Sequence, residues 1–189
     1  MELCHSNQLK IGLKIIYNNE PCIVVSNEFI KPGKGQAFFR VRLKNLLNKK
    51  LIDKTCKYSD CFKIANVIEI TATYMFTDKK VWTFMDKKSF EQIFVEKNII
   101  KNVLPWLLEQ HDYIISLWND QPISIVYSSN FIELIVVNTI PNARSGAINT
   151  YSKLALLNTG VTIKVPIFIQ IGQIIKVDTR TSEYISKIS

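Results

Sequence analysis

The sequence predicts an all-β chain built from small barrels. Short runs rich in β-branched and aromatic residues recur from end to end, each closed by a polar turn. Helical character is convincing in only one stretch, Ser89 to about Gln110. With 6 Gly and 6 Pro in 189 residues and no Ser-rich or Pro-rich stretch, long flexible linkers are not expected, so the barrels should follow one another tightly.

The first third supplies runs at Lys14 to Tyr17, Cys22 to Ile30, Ala37 to Asn45 and Asp53 to Tyr58, with Leu46-Leu47-Asn48-Lys49-Lys50 as the turn between the last two. Such density of short strands means a small barrel or sandwich. The second and third runs form a hairpin around Lys31-Pro32-Gly33-Lys34-Gly35. Pro32 and Gly33 suit the central positions of a type II turn, because proline pre-sets φ and glycine accepts a positive one. On the strand after the tip, Phe39, Val41 and Leu43 fall on one face and Arg40, Arg42 and Lys44 on the other.

The middle third gives Asn66 to Phe76, a turn at Thr77-Asp78-Lys79-Lys80, Val81 to Met85, Ile114 to Leu117, the turn Trp118-Asn119-Asp120-Gln121, and Ile123 to Val126. The helical stretch lies inside it. Ser89-Phe90-Glu91-Gln92 has the S-x-x-Q form of a capping box, and Pro105 should break the stretch into two short helices. Five strands with a short helix between them is the pattern of an OB-fold. The last third, with Phe131 to Asn138, Thr162 to Pro166, Ile174 to Asp178 and Tyr184 to Ile188, reads as a second barrel of the same kind. The expected domains are therefore residues 1–64, 65–128 and 129–189.

Charge is distributed unevenly over this plan. The formal net charge is +8: residues 1–64 hold 12 Lys/Arg against 5 Asp/Glu (+7), residues 65–128 hold 6 against 8 (−2), and residues 129–189 hold 6 against 3 (+3). A basic first third beside an acidic middle is what a polyanion footprint looks like, and the competing reading is a charged surface that keeps the chain soluble. An anionic membrane surface fits less well, because the basic residues alternate along a strand rather than lining an amphipathic helix. No apolar run is long enough to span a bilayer, and the N-terminal residues lack the apolar core of a signal peptide. The expected location is the cytoplasm.

Enzymatic chemistry finds little support. Cys4, Cys22, Cys56 and Cys61 are too sparse for a disulfide scaffold and are expected as free buried thiols. Cys56 and Cys61 lie five residues apart with no second close pair, which is poor spacing for structural zinc. The two histidines, His5 and His111, would need fortuitous contact with a nucleophile, and no G-x-S-x-G, Walker A or H-E-x-x-H motif is present. Asp178 with Glu183, or Asp112 with Asp120, are carboxylate pairs in principle, at strand ends and turns where solvated acids are usual.

Lys34 stands apart because its surroundings are organised. The flanking Gly33 and Gly35 remove side chains that would obstruct a narrow channel or a modifying enzyme, and the Arg40-Arg42-Lys44 face can lie along phosphates while the tip extends past them. A solvent-exposed turn lysine among ordinary turn residues is the plainer alternative. An amine in this setting acts by hydrogen bonding and charge, not as a general base.

Taken together, these residues resemble the bacterial elongation factor P family. The resemblance runs through Glu28-Phe29-Ile30-Lys31-Pro32-Gly33-Lys34-Gly35-Gln36-Ala37-Phe38 and Arg40-Val41-Arg42-Leu43. It resumes at Trp106-Leu107-Leu108, Leu117-Trp118-Asn119-Asp120-Gln121-Pro122-Ile123 and Asn130-Phe131-Ile132-Glu133-Leu134. It closes with Thr159-Gly160, Lys164-Val165-Pro166, Gln170-Ile171-Gly172 and Lys176-Val177-Asp178-Thr179-Arg180.

The resemblance implies an N-terminal KOW or SH3-like barrel followed by two OB-fold barrels in an L shape. It implies a monomeric, non-enzymatic factor without cofactor that binds ribosomal RNA between the P and E sites. There Lys34, which in one branch of the family receives a β-lysyl group from a lysine-modifying enzyme, reaches the acceptor end of the peptidyl-tRNA and relieves stalling at consecutive prolines. Lys31, Gly33, Lys34, Gly35, Arg40, Arg42 and Lys44 are the expected RNA-contacting residues.

Three places depart from the family pattern. Ser145-Gly146-Ala147 stands where Gly-Asp-Thr is usual, Leu154-Ala155 replaces a Pro-Ala, and Ser128-Ser129 replaces a Pro-Pro; Arg144 and Lys153 are candidates for an altered contact. Tyr184 and Lys187 near the C-terminus are candidates to face RNA, with a buried or merely solvated role as the alternative. Two other functions remain to be weighed. A general OB-fold RNA binder has no need of an amine held between glycines, and a thiol or metal enzyme would use Cys56, Cys61 and a histidine.

Overall fold

A computed structural model describes residues 3–140 and 152–188. The strands in chain order are β1 (Leu3–His5), β2 (Lys14–Tyr17), β3 (Glu20–Ile30), β4 (Phe38–Asn45), β5 (Leu51–Cys56), β6 (Cys61–Ile64), β7 (Val67–Thr77), β8 (Val81–Asp86) and β9 (Gln92–Glu96), then β10 (Asp112–Trp118), β11 (Gln121–Tyr127), β12 (Phe131–Ile140), β13 (Ser152–Leu157), β14 (Thr162–Pro166), β15 (Ile174–Asp178) and β16 (Glu183–Ile188). Among the described residues helix is confined to α1 (Lys97–Ile100) and 3₁₀ turns at Ser6–Gln8 and Leu104–Trp106. They form three sheets with strand orders β1-β6-β2-β3-β4-β5, β11-β10-β7-β8-β9 and β14-β13-β12-β15-β16. The all-β class expected from sequence is what the chain adopts.

By packing, the chain divides into two compact units, Met1–Ile70 with Ile115–Ile125 and Thr71–Ile114 with Val126–Ser189. In the first, the six-stranded sheet closes over Cys4, Leu9, Ile15, Cys22, Val24, Phe39, Val41, Leu43, Cys56 and Phe62. Strand alternation explains the membership: along β4 Phe39, Val41 and Leu43 are buried while Arg40, Arg42 and Lys44 are exposed. Asn45 is the polar exception. Its side-chain oxygen accepts from the Leu47 and Asn48 amides at 2.8 and 3.1 Å, and its amide nitrogen donates to Glu20, so one buried group shapes the turn into β5.

In the second unit the last sheet buries Ile132, Leu134, Val136, Ala155, Leu157, Ile163, Val165, Ile169, Ile175 and Val177, and Trp106 packs into the same cluster. Around Tyr113 lies an aromatic group: its ring meets Phe84 edge-on at 5.6 Å and Tyr127 at 5.2 Å. The Tyr113 hydroxyl accepts from the Leu108 amide at 2.9 Å and donates to the Leu108 carbonyl at 3.3 Å, while the Tyr127 hydroxyl donates to the Val103 carbonyl at 2.8 Å. Two phenols thus satisfy the backbone of the irregular segment between α1 and β10.

The expected helix from Ser89 is the main correction. Residues 92–96 are strand β9, paired with β8 from Val81↔Glu96 to Met85↔Gln92. Ser89 belongs to the turn between them, where its hydroxyl donates to Asp86 at 3.1 Å, and Phe90 takes a positive φ of 61° that no helix N-terminus allows. Ile93, Phe94 and Val95 fit a pleated surface better than a helix, so the S-x-x-Q spacing describes a turn and caps nothing. The helical part shrinks to two short pieces, and Pro105 lies inside the second, in its first turn, where a missing N–H costs nothing.

Besides β9, three described strands escape the sequence reading: β1, β6 and β13. The first two are three and four residues long and pair with each other through Leu3↔Lys63, Cys4↔Phe62 and His5↔Cys61. β13 reads Ser-Lys-Leu-Ala-Leu-Leu, made largely of helix-preferring residues, and is held as a strand by pairing to β12 and β14 on its two sides.

Candidate nucleic-acid interface

The candidate site is the hairpin of β3 and β4. Its ladder runs from Cys22↔Asn45 to Ile30↔Phe38, whereas β4 pairs with β5 only as far as Phe39↔Cys56. Only the last pair, Ile30↔Phe38, lies beyond β5, and residues 31–37 connect it. Lys31, Gly33, Lys34, Gly35 and Gln36 are all exposed.

A type II turn would place Gly33 at positive φ, and this expectation is wrong. Gly33 is outside the left-handed region; the positive value, 113°, belongs to Gly35. Seven residues separate the paired strands, so the chain turns through a wide bend over residues 33–35 instead of a two-residue corner. A side chain at position 35 would strain the backbone, and a Cβ built there would lie 3.8 Å from the Pro32 ring. At Gly33 a Cβ would meet nothing within 4 Å, leaving open space beside Lys34.

The basic face of β4 divides into held and unheld cations. Arg42 grips Asp53, its cross-strand partner on β5, with Nε to Oδ1 at 2.7 Å and Nη2 to Oδ2 at 3.2 Å. This hydrogen-bonded pair holds the Asp53 carboxyl below the usual carboxylate range and raises Arg42. Among the described residues Arg40 and Lys44 make no ion pair. Arg40 stands opposite Glu28 on β3 and Thr55 on β5, and Lys44 opposite Ile23 and Leu51.

Sequence reasoning passes over the aromatic residues beneath the tip. Phe29 and Phe39 are directly opposite on β3 and β4, with ring centroids 5.0 Å apart, and Tyr58 lies 6.3 Å beyond Phe39. Phe39 is buried, but Phe29 is 58% and Tyr58 63% exposed. Plain alternation from Cys22 and Val24 would turn Phe29 outward; the bulge between Val24 and Ser26 shifts the register and sets Phe29 opposite inward-facing Phe39.

The other candidates separate in space. Cys56 is fully buried, and burial pushes its thiol up, as it does for Cys22. Two of the residues named for thiol or metal chemistry do meet, exposed Cys61 placing its sulfur 3.1 Å from His5 Nδ1, while Cys56 belongs to the buried core. Among the described residues no group of three or more His, Cys, Asp or Glu side chains is placed to hold a metal ion.

Asp178 and Glu183 are opposite one another on β15 and β16, but Asp178 is buried and gripped by Arg180 at 2.6 and 3.1 Å, so it is not the solvated acid expected. Asp112 is likewise occupied, by Lys87 at 2.6 Å and Thr73 at 2.8 Å. Tyr184 packs against the core of the last sheet, while Lys187 is exposed. Ser128 donates to the Asp112 carbonyl at 2.9 Å, Leu154 and Ala155 lie in β13, and Arg144 and Ser145-Gly146-Ala147 fall outside the described residues.

An all-β chain of successive small sheets, with a basic hairpin that carries a lysine between glycines, belongs to the class of KOW and OB-fold translation factors. Residues 5–62 match the elongation factor P KOW-like domain, residues 67–125 the elongation factor P OB domain, and residues 132–187 the elongation factor P C-terminal domain. The chain belongs to the elongation factor P family. It is 49% identical over 189 residues to elongation factor P of Buchnera aphidicola from Acyrthosiphon pisum, and 48% identical over 188 residues to that of Buchnera aphidicola from Schizaphis graminum, with all of each chain covered in both cases.

Among solved structures, translation initiation factor 5A from Methanococcus jannaschii superposes with a TM-score of 0.54 at 18% identity, covering 67% of this chain and 92% of that one. An initiation factor 5A family protein from Naegleria fowleri gives 0.50 at 16% identity, covering 66% and 95%. These two likenesses concern the fold. No helix among the described residues is long and apolar enough to cross a membrane.

Proposed function

We propose that this translation factor binds the ribosome between the P and E sites and stimulates peptide-bond formation at consecutive prolines, with Lys34 directed at the acceptor end of the peptidyl-tRNA. The observation that carries this reading is Lys34 itself, exposed between two glycines on a seven-residue connection inside a matched KOW-like domain. Proline's constrained secondary amine is a slow acceptor, and holding the P-site end in reactive geometry lowers the barrier by positioning. The ribosome performs the chemistry.

A β-lysyl group on the ε-amine of Lys34 lengthens the arm and adds a second amine; open space at Gly33 leaves a modifying enzyme room to approach. Lys31, Arg40 and Lys44 position the hairpin on phosphates, and Arg42 does so to a lesser degree because Asp53 already occupies it. The factor acts as a cytoplasmic monomer, with domains divided at residues 64 and 128. Its partners are ribosomal RNA, the P-site peptidyl-tRNA and the lysine-modifying enzyme, and no cofactor is needed.

Reconstituted translation of a polyproline reporter tests the proposal. Lys34→Ala is expected to abolish relief of stalling while leaving far-UV circular dichroism and Tm unchanged, since the side chain touches no core. Full activity in that variant would overturn the assignment. Intact-mass spectrometry of the protein from its native cell reads the modification directly: a β-lysyl addition on Lys34 is expected, and an unmodified Lys34 would remove that part of the proposal.

A further inference from the structure

We propose that Phe29, Phe39 and Tyr58 form a stacking platform for an unpaired nucleotide of single-stranded RNA. The platform lies beneath the Lys34 tip and deepens the RNA-binding role proposed above, on which it rests.

The arrangement is costly unless something covers it. Phe29 and Tyr58 leave more than half of their surface in water, yet both are in ring contact with the same buried Phe39, so they are two exposed edges of one aromatic group and not scattered side chains. The group is also rigid. Phe29 and Phe39 are fixed by cross-strand pairing, and Asn7 Nδ2 donates to the Tyr58 hydroxyl at 3.1 Å, which restrains that ring. A pre-set aromatic surface loses little freedom when a flat partner stacks on it.

Charge decides what kind of partner fits. Exposed Lys57 precedes Tyr58 and exposed Lys31 follows Phe29 by two positions. Of the acids nearby, Glu28 alternates to the opposite face of β3, across from Arg40, and the Asp60 carboxylate is engaged by the Lys57 backbone amide at 3.0 Å. Aromatic rings flanked by lysines recognise a base with its phosphate. The base must be unpaired, because a duplex buries its faces and offers only edges and backbone.

The test uses the full chain and two RNA probes of equal length, a single-stranded hexamer carrying one 2-aminopurine and a blunt duplex. Phe29→Ala and Tyr58→Ala should each weaken single-strand binding about tenfold, leave duplex binding unchanged and abolish stacking-dependent quenching of 2-aminopurine. Phe29→Trp should restore both affinity and quenching. If Phe29→Ala fails to fold by circular dichroism, Phe29→Leu keeps an apolar side chain without the ring and should show the same loss.

Equal losses on both probes, or unchanged quenching, would overturn the platform. So would unchanged RNA binding combined with weaker ribosome association, which would assign the surface to a protein. The two proposals fail separately. Quenching lost in Phe29→Ala while Lys34→Ala still relieves stalling keeps the platform and removes the role of Lys34; the reverse pattern removes the platform alone.

Discussion

The β3–β4 hairpin and β15 with the turn that follows it both carry basic side chains, and they use them in opposite ways. On β15, Lys176 lies 5.1 Å over the Phe131 ring, and just beyond the strand Arg180 closes on buried Asp178. Both are turned to holding the last sheet together. On β4 only Arg42 is held, by an acid that is itself exposed, and Arg40 and Lys44 are left facing solvent. Formal charge counts all of these residues alike, whereas availability to a phosphate depends on whether a carboxylate or ring on the neighbouring strand reached the cation first.

The contrast can be broken on β4. Arg40→Ala should weaken RNA binding and lower the slope of log affinity against log salt by about one, the signature of one lost phosphate contact. Arg42→Ala should cost less, because binding already requires Arg42 to leave Asp53, and Asp53→Asn should strengthen binding by releasing it. Salt titrations of the three variants decide the matter: equal losses from Arg40→Ala and Arg42→Ala would mean that the ion pair does not govern availability.

A smaller effect sharpens the other half. Hydrogen bonds from the Arg180 side chain and backbone hold the Asp178 carboxyl at about 2, against an ordinary 3.8. A depressed value in the folded state means stability that is fully present above the ordinary value and lost as pH falls through the folded one. Thermal melting between about pH 4 and pH 2 should therefore show the wild type losing more Tm than Asp178→Asn. Parallel curves would mean that the pair contributes nothing specific to the last sheet.

These differences mark the limit of what alternation reveals. The inward and outward faces of β4 are readable because period-two patterning is local, and β2, β14 and β15 have the bounds that the runs suggest. That Arg42 is held depends on Asp53, eleven residues away, and on a register set by the β4–β5 turn that Asn45 organises. Ser89 misleads for a related reason: a serine followed by glutamine three residues on serves a helix start, but here the serine binds Asp86 behind it. Lys34 and its glycines are legible because an exposed tip needs no distant partner. Phe29 and Tyr58 are not, since each becomes unusual only through contact with Phe39.

The two tyrosines that tie down the segment before β10 also give the molecule an optical clock for its own unfolding. Burial pushes Tyr113 up to about 12, and burial together with the neighbouring Tyr113 raises Tyr127 further. A phenol raised in the folded state stabilises the fold below its ordinary value near 10 and withdraws that support as pH climbs. In an alkaline pH jump followed at tyrosinate wavelengths, a phenol already in contact with water ionises without delay. Tyr113 and Tyr127 should follow only at the rate at which their segment opens, so the lag in absorbance reports the local opening rate with no label attached.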